Sequence, residues 1–86
     1  MSSKLPKHVL PFRKFMLSRQ TLSLYRDILK VIRQVSNSDH RNQLKEWARQ
    51  DFKKNKHEKE EEVIKMLHTR GRLALKELES ALKLAQ

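Results

Sequence analysis

From about Phe12 onward, apolar residues recur every three or four positions, the spacing that gathers them on one side of an α-helix. Punctuation is sparse: both prolines, Pro6 and Pro11, stand near the start, and Gly71 is the only glycine. The breaks come from polar clusters instead. In "SNSD", Ser36 to Asp39, short oxygen-bearing side chains can accept the free amides that open a helix. In "KNKHEKEEE" the glutamates suit the positive end of a third helix, although no good N-cap residue precedes them. The pattern predicts helices at about 12–35, 39–54 and 58–84, with His57 at the start of the third. The expected fold class is all-α, an antiparallel three-helix bundle.

At about 100° per residue, Leu17, Leu24, Ile28, Val31 and Val35 fall in one stripe of the first helix, and Leu22, Tyr25, Leu29 and Ile32 widen it to nearly half the circumference. An amphipathic helix needs only roughly 100° of apolar face, so part of this sector is expected to serve a ligand or partner. Arg19, Arg26, Lys30 and Arg33 line its border, where a cation can meet an acid while its stem covers apolar area. The second helix repeats the plan: Leu44, Trp47, Ala48 and Phe52 recur at helical spacing, with Arg41, Lys45, Arg49 and Lys53 stepping by four beside them. Such rails are ordinarily a solvated face. Here acids that would pair with them inside the helix are scarce, and a partner would relieve the repulsion. The third helix gathers Ile64, Leu67, Gly71, Ala74, Leu75, Leu78 and Leu82 on one side. Glycine within a helix costs about 1 kcal/mol relative to alanine, so Gly71 marks either the close approach of a neighbouring backbone or a slot open to something apolar.

Charge narrows the partners. Across 86 residues the formal net charge is +10, with 35% of residues charged, which favours nucleic acid, anionic membrane or acidic protein. The chain has no cysteine, hence no disulfide, thiolate metal site or thiol nucleophile. "HEKEE", His57 to Glu61, matches the helical zinc-protease spacing only at its first two positions, and His8, His40 and His68 are distant in sequence, so neither a metal site nor catalysis is expected. No apolar run approaches the roughly 20 residues that span a bilayer; membrane association is expected to be peripheral at most. The opening "MSSKLPKHVLPFRKFMLSRQ" carries cations and no acid, the first carboxylate being Asp27. Its basic, serine-containing, amphipathic character is that of a mitochondrial address, with residues 1–11 a flexible basic segment and the folded domain at 12–86.

Leu24-Tyr25-Arg26 on a basic-bordered first helix, followed by "ARQDFKKNK" with Arg49, Phe52, Lys53 and Asn55 on the second, resembles the LYR-motif family, also called the complex 1 LYR family. "LYRDILKVIRQV", "EWARQDFKKNK" and "LKELESALKLA" extend the resemblance over nearly the whole chain from Phe12. It implies a non-enzymatic accessory protein of the mitochondrial matrix that binds the mitochondrial acyl carrier protein. The clients implied are respiratory complex subunits or assembly intermediates, complex I foremost. The carrier is strongly acidic and supplies an acyl-4′-phosphopantetheine arm, whose chain in this family enters the core of the bundle. By the same resemblance Tyr25 and Arg26 would meet the carrier, Arg49 and Lys53 would extend that contact, and Phe52 would line the acyl slot. The helical wheels add Arg19, Lys30, Arg33 and Lys45 to the partner face and Leu24, Ile28, Trp47, Leu67 and Gly71 to the apolar lining.

Such a mechanism is physically sensible for a thin core. Each buried methylene contributes about 0.8 kcal/mol, so eight carbons offer roughly 6 kcal/mol before ordering costs, comparable with the stability of a small domain. The alternative is a basic helical RNA-binding protein of the mitochondrial ribosome, with no role for DNA. A basic membrane-surface helix is a third reading, against which stands the need of the bundle for the same apolar face.

Overall fold

The computed structural model describes the backbone of residues 9–85 and the side chains of residues 12–85. Among these residues there are three helices and no strand: α1 (Val9–Ile32), α2 (Ser38–Lys56) and α3 (Glu61–Ala85). Most of the expected basic segment, residues 1–8, lies outside the described residues. The first helix opens three positions earlier than expected, because a proline in the first turn forfeits only an N–H that has no intrahelical acceptor.

Each boundary has a local cause. At the end of α1 the amides of Gln34 and Val35 donate to the carbonyls of Val31 and Ile32, both at 3.0 Å, which tightens the closing turn. Arg41 Nη1 then donates to the Val35 carbonyl at 2.9 Å. Asn37 caps α2, its side-chain oxygen accepting from the His40 amide at 3.0 Å. His57 is the C-cap of α2, which corrects its expected place at the start of α3. The third helix waits until Glu61 because Glu58 Oε1 accepts from the amides of Lys59 and Glu60, at 3.1 and 3.3 Å, and holds a turn there.

The chain runs up, down and up. Arg13 meets Glu61 and Thr21 meets His68, pairs 48 and 47 residues apart, so α1 and α3 are parallel. The second helix runs against both. Both α2 and α3 pack along α1, while their contact with each other is slight. The fully buried core therefore belongs mainly to α1: Leu17, Leu24, Tyr25, Ile28 and Ile32, joined by Ala48 of α2. No residue of α3 is fully buried. Most of the width of the apolar sector on α1 covers the two neighbouring helices, and Leu22, Tyr25 and Leu29 remain at its open edge. Gly71 is likewise resolved. A Cβ there would stand 2.6 Å from Leu24 Cδ2, so the space is filled from within by Leu24, and the glycine permits α1 and α3 to approach.

Candidate functional site

Along one side of the α1–α2 contact opens a groove of about 510 Å³. Its floor is apolar, formed by Leu22, Leu29 and the ring of Tyr25 from α1 and by Ala48 and Phe52 from α2. Its rim is cationic, with Arg26 and Arg33 two turns apart on α1 and Lys45 and Arg49 one turn apart on α2. Glu46 is the one carboxylate among the lining residues. A hydrogen bond from Gln50 Nε2 at 2.8 Å, and then the charge of Arg49, hold it below the usual carboxylate range. Its own ion pair with Arg49 is long, 3.9 Å, and exposed, so it offsets little of the rim's positive charge.

The three residues Leu24-Tyr25-Arg26 point in three directions. Leu24 enters the core against Gly71, and Arg26 stands out over the groove. Tyr25, 6% exposed, reaches across to α2. Its hydroxyl donates to Asp51 Oδ2 and accepts from Asn55 Nδ2 at 2.8 Å, while Asn55 Nδ2 also reaches Asp51 Oδ2 at 3.2 Å. Burial, and then the acceptor and charge of Asp51, push the phenol well above its ordinary value. The ring meets Phe52 edge-on, with centroids 5.1 Å apart and planes at 69°. Tyr25 is therefore a strut that sets the α1–α2 angle and exposes one face of its ring to the groove. The hydroxyl is occupied by Asp51 and Asn55, so it is the ring that Tyr25 offers to the groove.

Tyr25, Arg26, Arg33, Lys45, Arg49 and Phe52 thus come together in one groove. Arg19, Lys30 and Lys53 are exposed and lie outside its lining. The six residues expected to line a single acyl slot are divided, because α2 stands between the groove and a second cleft. Phe52 lies in the groove and Leu24 in the core. Ile28 and Trp47 line the cleft between α2 and α3, of about 330 Å³, with Leu44, Ala74 and Leu78. Trp47 is 46% exposed at its lip rather than a core residue. Leu67 and Gly71 line the continuation of that cleft, of about 250 Å³, beside Lys54 and Arg70. What sequence reasoning missed is the Asp51–Asn55 pair that fixes Tyr25. The available signal was an acid and an amide one turn apart on the apolar edge of α2. It also missed the α1–α3 ties, Arg13 Nη2 to Glu61 Oε2 at 2.6 Å and Thr21 Oγ1 to His68 Nε2 at 2.6 Å. Among the described residues no group of three or more His, Asp or Glu side chains is placed to hold a metal ion.

The family model described as Complex 1 protein (LYR family) matches residues 19–77, a span that takes in the groove, all of α2 and most of α3. The chain belongs to this family. Among known LYR proteins it is similar to LYR motif-containing protein 2 of Bos taurus, with 49% identity over 85 residues, 99% of this chain and 97% of the relative. The Homo sapiens protein of that name is 47% identical over the same shares, and that of Salmo salar 39% identical over 98% of this chain and 93% of its own. No solved structure matches. The matched span of the LYR family begins at Arg19, so the first turns of α1 stand outside it.

Proposed function

We propose that this LYR-family chain is a non-enzymatic accessory protein of the mitochondrial matrix that binds acylated acyl carrier protein over the α1–α2 groove. It would serve the assembly or structure of a respiratory complex, complex I foremost. The observation that carries the proposal is the groove itself, four cations and one carboxylate around an apolar floor. An acidic carrier is steered toward Arg26, Arg33, Lys45 and Arg49 and oriented by them. Its phosphopantetheine arm then lays the acyl chain along Leu22, Leu29, Ala48 and Phe52. A volume of about 510 Å³ falls within the range of small-ligand pockets. Membership of the LYR family and the acid-free opening of the chain support the partner and the compartment.

The test uses the full chain and purified carrier in its apo, holo and acylated forms. Acylated carrier should raise the melting temperature well above the effect of the apo form, because only it places methylenes on the groove floor. Arg33→Glu together with Lys45→Glu should weaken carrier binding by at least about tenfold, with little change in melting, since both side chains are exposed. Equal stabilisation by apo and acylated carrier would remove the lipid from the proposal. Tight, steeply salt-dependent binding to RNA that survives Phe52→Ala would replace the carrier with RNA.

A further inference from the structure

The first turns of α1 present an apolar surface that the bundle does not use. With Leu17, Leu24 and Ile28 defining the side of α1 that faces its neighbours, Phe12, Phe15 and Met16 fall on the opposite side of the wheel. They are 62%, 56% and 42% exposed, and none of them lines the grooves and clefts described above. Cations share this face. The Arg19 guanidinium lies 5.8 Å from the centre of the Phe15 ring. On the same wheel Arg19 and Lys30 continue this outward face along α1, and both are exposed. Between Val9 and Arg26 there is no carboxylate. The acids at this end of the bundle belong to the turn before α3 and its first residues. Of these, Glu61 is held by Arg13 at 2.6 Å and Lys65 at 3.5 Å, and Glu58 is engaged with backbone amides. Glu60 and Glu62 are exposed, at the start of the helix that packs on the other side of α1.

We propose that this face of α1 docks the folded protein on an anionic lipid surface. The helix lies in the plane of the interface, with Phe12, Phe15 and Met16 at the boundary between headgroups and acyl chains and Arg19 and Lys30 over the lipid phosphates. Shape favours a bilayer over a protein. Three side chains standing off a convex helix need matching pockets in a protein partner, whereas a lipid surface deforms around them. The sequence-based objection to a membrane-surface helix was that the bundle needs the apolar face of α1; the structure gives that helix two apolar faces, and the bundle takes only one. Leu17 is buried and Arg13 is paired to Glu61, so these turns are part of the folded domain.

Flotation of the full chain with vesicles of phosphatidylcholine, alone or mixed with phosphatidylglycerol, tests the proposal. Recovery with the mixed vesicles and not with the neutral ones is expected. Phe12→Ser with Phe15→Ser should lower partitioning by about tenfold or more, with unchanged melting and unchanged carrier binding. Arg19→Glu with Lys30→Glu should weaken it comparably through the lipid charge alone. Equal recovery with both vesicle types, or recovery indifferent to both double substitutions, would overturn the proposal. So would a phenylalanine double variant that keeps vesicle binding and loses the carrier instead, which would assign the patch to a protein. Loss of carrier binding through Arg33 and Lys45 leaves the vesicle result untouched, so the two proposals fail separately.

Discussion

Replacing Tyr25 with phenylalanine removes one oxygen and leaves the ring against Phe52. The oxygen removed joins α1 to Asp51 and Asn55 of α2. A hydrogen bond to a charged group contributes about 1.5–3 kcal/mol. Asp51 is only half-buried and retains Asn55 at 3.2 Å, so water and the amide recover part of the loss. The cost therefore falls at the low end, about 1–2 kcal/mol. For a domain of this size each kcal/mol moves the melting temperature by about 4–8 °C, which predicts a fall of about 4–16 °C by circular dichroism. Alkaline pH gives a second readout. Because folding raises the phenol's pKa, its contribution is complete below the ordinary tyrosine value of about 10 and is lost as pH rises beyond it. Wild type should therefore lose its advantage over the variant above that pH. The reasoning would be refuted by a variant that melts within about 2 °C of wild type but binds carrier far more weakly, because the hydroxyl would then belong to the interface.

Three smaller perturbations probe other ties. His68 is held below its ordinary value by burial and then by Arg72, so its contribution is complete above about pH 6.5 and is lost as pH falls through the lowered value; an NMR titration of the ring, beside melting curves with His68→Gln, should show both. Gly71→Ala gains about 1 kcal/mol of helix propensity but sets a Cβ 2.6 Å from Leu24 Cδ2, an overpacking cost of about 1–3 kcal/mol, so urea titration should register a net loss of up to about 2 kcal/mol. A full gain would mean that Leu24 yields freely. Asn37→Ala should cost about 1 kcal/mol, whereas Asn37→Asp keeps an acceptor for the His40 amide and should melt near wild type.

The three helices were legible because their apolar period is long and their breaks are polar clusters with capping chemistry, as Asn37 demonstrates. The groove was legible for the same reason: Arg26 and Arg33, like Lys45 and Arg49, are placed by the helical repeat before any packing is known. What the repeat could not tell was which neighbour each stripe would face. A wheel shows that Trp47 and Phe52 share an apolar sector, but α2 tilts so that Ala48 is buried and the two aromatics flank it on opposite sides. Gly71 was ambiguous because an absent side chain looks the same whether a ligand or Leu24 takes its place. The polar ties, Tyr25 to Asp51 and Thr21 to His68, join positions on different helices, and the spacing within one helix does not say which residue of another it will meet.

Helices α2 and α3 are each fastened to α1 and share almost no seam, so one can detach without prising the other loose. The hairpin of α1 and α2 keeps its Tyr25 strut when α3 peels away, but Leu24 and Ile28 are then uncovered. A chain opened in that way would be sticky and open to proteolysis.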